Sequence, residues 1–232
     1  MKPTRYIRIL IFDVDGVLID VRETFWRSAV QTVRHLSGRK VTFRELQQWK
    51  SRPGYNDDWQ MTADWVTQLG RPTTYEEARA AFNQFYWGTK DRPGNVRKEK
   101  WNVSAKQISR WAGSYELNIF TGRNRREFDY TFAGWPARRH LRTVITMDDV
   151  ERKKPFPDGL LKILGKRDPA GALYVGDNVD DAVAAQAAGV PFFAILPRSA
   201  FRYRERAERF RSLGALKILE RTAGLSRWLP GR

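Results

Sequence analysis

One short stretch constrains this chain more than any other: Ile9-Leu10-Ile11-Phe12-Asp13-Val14-Asp15-Gly16-Val17. The apolar run from Ile7 to Phe12, interrupted only by Arg8, predicts a strand buried on both faces of a parallel sheet. It stops at two carboxylates one residue apart, and a glycine follows. Ligands of open parallel sheets bind just beyond the carboxyl ends of the strands. Asp13 and Asp15 are thereby placed in a crevice, near enough to share one hard cation. Gly16 lets the backbone turn away at once. Alone, such a D-x-D-G is a weak signal, because strand-end aspartates often only cap turns.

Composition narrows the remaining classes. A chain of 232 residues with 41% apolar content can bury one good core and a smaller satellite domain. No apolar run approaches the length of a membrane span, and Met1-Lys2-Pro3 leads into the first strand without a signal-peptide pattern, so a cytoplasmic protein is expected. Cysteine is absent, which excludes disulfides, thiolate metal sites and a thiol nucleophile. His35 and His140 stand in unrelated contexts and are expected on helix surfaces or in loops, so neither a histidine cage nor a His-based triad is read here. The formal charge is +16, and it is densest in residues 198–232, where ten Lys/Arg face three Glu. Such a field speeds capture of an anionic substrate and binds nucleic acid without specificity. A solvated arginine-rich surface is preferred here to a dedicated nucleic-acid site.

Further along, Phe25, Ala29, Val33 and Leu36 line one face of a helix over residues 21–36, which Gly38 ends. Thr42 to Glu45 reads as a capping box opening a helix through Trp49, and a turn-rich loop over Lys50 to Asp58 leads into a helix from Trp59 to Leu69. A second capping box, Thr73 to Glu76, precedes a helix to about Trp87. Residues 20–100, return linker included, thus form a small all-helical unit. Most of its five tryptophans are read as its own core. The remainder, residues 1–19 and 101–232, alternates strand and helix, with strands at 117–120, 144–146, 172–175 and a last one at 192–196. Repeated βα units give an α/β fold: a doubly wound parallel sheet covered on both faces. The tail helix from Ser199 to Leu213 is expected to dock on that sheet.

The later strand ends carry groups suited to phosphate chemistry. Phe120-Thr121-Gly122-Arg123 offers a hydroxyl and an unshielded N–H just ahead of a helix, a ready anion site. Its plain alternative is a helix cap, a role Asn124 can fill by itself. Lys153-Lys154-Pro155 places cations before a helix start, and a rigidly held lysine there neutralises a transferring phosphoryl group. Gly176-Asp177-Asn178-Val179-Asp180-Asp181 sets three acids at a strand end, where Asp177 can complete a metal site with Asp13. Helix capping by Asp180 is the structural alternative for part of that set.

In this order and spacing the four stretches resemble the haloacid dehalogenase superfamily of phosphohydrolases. Residues 176–190 look like the fourth motif of its phosphoglycolate-phosphatase-like branch, and the helical insert is similar to that branch's cap. The resemblance spans roughly residues 5–197. It implies Asp13 as nucleophile forming an aspartyl-phosphate, Asp15 as general acid and then base, and Thr121 and Lys154 as holders of the phosphoryl oxygens. It further implies Mg2+ bound by Asp13, the carbonyl of Asp15, and Asp177, with Asp181 supporting the site from outside. The dehalogenases that named the superfamily lack an acid where Asp15 stands, since a halide leaves without a proton. Phosphate transfer is therefore favoured. Lys50, Arg52, Tyr55 and Asn56 fall where related enzymes place their specificity loop, and they suit a small phosphorylated metabolite with a second acidic group. Gly122 and Arg123 adjoin the phosphate site, and Arg123 either contacts substrate or pairs with an aspartate. Two other readings stay open: a phosphotransferase or mutase on the same scaffold, and a basic nucleic-acid-binding protein that keeps the fold without turnover.

Overall fold

The computed structural model describes residues 7–229 other than Pro53 and Asn56. Two compact units divide the chain: Asp20–Lys100, and Met1–Ile19 together with Trp101–Arg232. Among the described residues, no helix is long and apolar enough to cross a membrane. In chain order the main elements are β1 (Ile9–Phe12), then α1 (Phe25–Ser37), α2 (Phe43–Lys50), α3 (Asp58–Gln68) and α4 (Tyr75–Tyr86). The second part follows with α5 (Ala105–Ala112), β2 (Glu116–Phe120), α6 (Arg125–Phe132), β3 (Leu141–Ile145) and α7 (Asp158–Leu164). It ends with β4 (Ala172–Gly176), α8 (Val179–Ala187), β5 (Phe192–Ile195), α9 (Tyr203–Ser212) and β6 (Lys217–Leu219).

The Asp20–Lys100 unit is helical because its apolar residues recur at helical spacing. Phe25, Ala29 and Val33 are buried along α1, and Gly38 closes that helix in the left-handed region at φ 67°. Thr42 and Glu45 form a complete capping box at α2, and Asp57 caps α3. At α4 the cap is Thr74, one residue later than the spacing predicted, and it accepts only from the Glu77 amide. Glu77 turns its carboxylate to Arg71 instead, at 2.5 Å. Aromatic rings supply most of the packing: Trp49 stacks on Trp65, Trp59 meets Tyr75, and Phe25 lies 4.5 Å from Tyr86. Residues 88–100, read above as plain linker, contain a short hairpin and a 3₁₀ turn. Asn95 ties that segment to α1 through Ser28 Oγ and Gln31 Oε1.

The other unit is organised on a six-stranded parallel sheet in the order β6-β5-β4-β1-β2-β3. Walking outward from β1, the chain winds first one way and then the other, the doubly wound arrangement of α/β folds. The reversal lies between β1 and β4. Alternation along the strands splits the core in two. Ile9, Ile11, Phe120, Ala172 and Tyr174 meet α7, α8 and α9 on one face, while Phe12 stacks on Trp111 of α5 on the other. The tail is more deeply built in than a docked helix. Ala207 and Phe210 are buried on α9, and Lys217–Leu219 adds an edge strand that the sequence did not announce, being three residues long and opening on a lysine. Beyond it, the Thr222 hydroxyl donates to the Val17 carbonyl at 2.7 Å, and Trp111 Nε1 donates to Ser226 Oγ.

Candidate active site

Register brings the chemistry together. Phe12 pairs with Ile119 of β2 on one side and Val175 of β4 on the other, so the three strands end level. Asp13, Thr121 and Asp177 therefore emerge from neighbouring strand tips, and the Asp13 amide donates to the Val175 carbonyl at 2.9 Å. Gly16 turns the chain away at φ 73°, and a Cβ there would lie 2.0 Å from Asp177 Oδ2. Only a residue without a side chain leaves that carboxylate its place beside the Asp13 loop.

Lys154 arrives from the loop before α7, and its ammonium is almost wholly buried. It lies 3.0 Å from Asp13 Oδ1, donates to Asp181 Oδ1 at 2.7 Å and to the Tyr174 hydroxyl at 3.0 Å. The Phe120 ring lies under it, 5.1 Å away, in space that Gly159 leaves open. Tyr174 in turn donates to Asp181 Oδ1 at 2.7 Å. The second Asp181 oxygen accepts the amides of Asp177 and Asn178, each at 3.1 Å. Both oxygens of Asp181 are thus engaged, and it holds Lys154 on one side and the strand-end backbone on the other. Helix capping falls to Asn178 and Asp181, which form a capping box at α8, rather than to Asp180.

Asp13 is different. Its Oδ1, though at ion-pair distance from Lys154, is buried without an aligned hydrogen bond. Burial pushes its carboxyl up to about 7, with Lys154 opposing and Asp181 and Asp15 adding to the rise. For Lys154, burial works downward, yet the carboxylates of Asp13 and Asp181 outweigh it and hold the ammonium above the ordinary lysine value. Burial and the same acids raise the Tyr174 phenol, which stays a donor. Asp13, Asp177 and Asp181 each offer a carboxylate oxygen within 4.8 Å of the others. An all-oxygen, acidic donor set fits a hard divalent cation.

Asp15 points elsewhere. Its carboxylate is gripped by Arg123, with Nη2 to Oδ1 at 2.7 Å and Nε to Oδ1 at 3.0 Å. Of the two roles read for Arg123, the structure shows the aspartate pairing. The guanidinium is fully buried and also donates to Thr131 Oγ1. Thr121 is buried and accepts the Arg123 amide at 3.2 Å, leaving its hydroxyl proton free for another acceptor. Capping of α6 belongs to Asn124 and Glu127, so Thr121 and Gly122 are not consumed by it.

Within the helical unit, Lys50 pairs with Asp58 at 2.8 Å, Arg52 lies over Trp49, and Tyr55 donates to Asp64 at 3.0 Å. Asn56 lies outside the described residues. Two residues near the acids escaped the sequence reading. Tyr174 sits inside an apolar strand, and a lone phenol in a run otherwise without polar atoms is the signal that could have marked it. Arg206 of α9, mostly buried, reaches the Asp177 carbonyl at 3.5 Å, and burial lowers its pKa. Nothing in the arginine-rich tail singled it out.

Residues 106–195 match the family model for haloacid dehalogenase-like hydrolases. Over that stretch the chain is similar to this superfamily. Its fold recurs in solved structures. A predicted phosphoglycolate phosphatase from Haemophilus somnus superposes with a TM-score of 0.73 at 18% identity, covering 95% of this chain and 97% of that one. A family hydrolase from Deinococcus radiodurans, crystallised with phosphate and sodium, gives 0.68 at 18% identity over 97% and 94% of the two chains. Among curated proteins, pyrophosphatase PpaX of Bacillus mycoides is 25% identical, covering 82% of this chain and 83% of its own. An imidazoleglycerol-phosphate dehydratase from Phytophthora nicotianae is 26% identical over 200 residues, and the match spans only 43% of its length.

Proposed function

We propose that the protein is a Mg2+-dependent phosphatase that hydrolyses a small phosphate monoester through an aspartyl-phosphate on Asp13. The observation that carries this reading is the buried Asp13 carboxylate, paired with the Lys154 ammonium at 3.0 Å and with a carboxylate oxygen of Asp177 within 4.8 Å. An ionised carboxylate approaching a phosphate dianion needs positive charge on both sides. Lys154 provides one part of it. Asp13, Asp177 and the Asp15 carbonyl would hold a magnesium ion, which would supply the rest as a Lewis acid and charge neutraliser.

In this scheme an Asp13 oxygen forms a bond to phosphorus as the ester P–O bond breaks. Asp15 gives its proton to the departing alkoxide, and in the second half-reaction takes one from the water that attacks the same phosphorus. Asp13 is then released with inorganic phosphate. Thr121, Gly122 and Lys154 hold the phosphoryl oxygens, and Asp181 with Tyr174 keeps Lys154 in place. Asp15 meets the leaving oxygen only by turning on, or leaving, Arg123, which makes that ion pair a checkpoint of the proton transfer. The helical unit acts as the cap, its loop at Lys50, Arg52, Tyr55 and Asn56 selecting a metabolite with a second acidic group.

The test is phosphate release from p-nitrophenyl phosphate, phosphoglycolate, sugar phosphates and pyrophosphate, with and without Mg2+. Release that chelator abolishes and Asp13→Asn removes is expected. Magnesium-loaded protein that leaves every one of these untouched would end the reading.

A further inference from the structure

The helical unit has a pocket lined by residues that the reading above does not use. An open pocket of about 330 Å3 is lined there by Trp26, Phe43, Gln47, Lys98 and Lys100, with Asp20, Arg22 and Glu23. That volume is at the small end of ligand-sized clefts.

Two features of its lining stand out against the rest of the unit. The first is aromatic. Trp49 and Trp65 stack on each other, Trp59 packs on Tyr75 and Trp87 on Tyr86. Trp26 is the exception among the described residues: it is half-buried and has no ring partner. Phe43 is likewise without one, and 40% of it is exposed. Two unpartnered rings thus open on the same space.

The second feature is charge. Asp20 is gripped by Arg22, with Nη2 to Oδ2 at 2.5 Å, and Glu23 by Arg27 at 2.5 Å. Both acids of the pocket are neutralised by arginines. Lys98 reaches only the neutral Asn95 side chain, at 3.2 Å, and Lys100 has no hydrogen bond or ion pair among the described residues. Lys100 acts on Asp20 at longer range, and because Arg22 already grips that acid, the two lysines leave net positive charge beside the two rings.

We propose that this pocket binds a small organic anion carrying a flat ring. The ring covers Trp26 and Phe43, the anionic group meets Lys98 and Lys100, and the Gln47 amide faces a polar ring edge. This assignment does not depend on the catalytic reading, since none of these residues takes part in it. The shared chemistry, ring plus anion, fits a nucleoside monophosphate or a simple aryl acid.

Calorimetric titration with adenosine monophosphate and, separately, with phenylacetate distinguishes the two sources. The Asp13→Asn protein is used alongside the wild type, so that binding at the phosphatase centre is recognised. The expected result is one-to-one binding of at least one probe, unchanged by Asp13→Asn. Trp26→Leu, and Lys98→Ala combined with Lys100→Ala, should each weaken it about ten-fold. Phe43→Ser, at an exposed position, serves as a second variant should Trp26→Leu lower the melting temperature. Binding of the nucleotide alone or of the aryl acid alone, with that variant pattern, names the source. Absence of binding by both probes, or affinities indifferent to Trp26 and Phe43, overturns the proposal. So does binding that Asp13→Asn removes.

Discussion

With its guanidinium buried and its fork closed on the Asp15 carboxylate, Arg123 fixes the acid to which the proposed mechanism gives the proton transfer. Arg123→Met keeps most of the stem and removes the fork. We expect kcat to fall about ten- to hundred-fold through misplacement of Asp15. The loss of stability should be about 1–2 kcal/mol, because the partly exposed Asp15 can take up water instead. Steady-state kinetics set against urea unfolding separates the two effects. Gly16 makes a different demand. Its φ of 73° strains any side chain, and a Cβ would overlap the Asp177 carboxylate. Gly16→Ala should therefore weaken magnesium affinity at least ten-fold, read from Mg2+ titrations of the melting temperature. Unaltered affinity would mean that Asp177 is not a ligand.

Among the elements, the 3₁₀ turn after β3 shows how a short segment is held beside the Thr121 strand end. Asp149 accepts the Thr146 amide at 2.8 Å and its hydroxyl at 2.7 Å, and pairs with Arg125 at 2.6 Å. Burial works to raise this carboxyl, and the Thr146 bonds with Arg125 outweigh it and hold it below the usual range. A depressed folded-state pKa contributes stability above the ordinary carboxylate value, and that contribution is lost as pH falls through the lowered one. Asp149→Ala should cost about 1–2 kcal/mol at neutral pH. The gap to wild type should close below about pH 4, as measured by denaturant unfolding across pH.

At the scale of the whole molecule, charge sets two expectations. Asp13, Asp177 and Asp181 crowd their oxygens within 4.8 Å, so a bound divalent cation stabilises the folded chain over the unfolded one. Magnesium should raise the melting temperature, by the equivalent of about 2.7 kcal/mol at a hundred times its Kd, and Asp177→Asn should abolish the rise. The net charge of +16 acts over longer distance. For a dianionic substrate kcat/KM should fall as salt is raised, with kcat little changed, since screening slows capture rather than chemistry.

By itself the sequence determined the α/β class, the strand carrying Asp13, the level of the motifs at successive strand ends, the capping box at Thr42 and the cap at Asn124. These are local matters: apolar periodicity, turn residues and caps are written within a few neighbouring positions. Tertiary structure decided which partners the motif residues take. Arg123 could face substrate or an aspartate, and only the folded chain, which sets the β2–α6 loop beside the loop after β1, turned it to Asp15. Tyr174 looked like core until strand register set its hydroxyl against Lys154 and Asp181. Lys217–Leu219 is too short and too polar at its start to announce a strand, and it becomes one because β5 offers a parallel edge. Trp26 could not be told from the packed tryptophans by spacing, since a ring's partner depends on which helices meet. Side-chain pairing across long sequence separation is a property of the folded geometry, and a linear pattern carries no record of it.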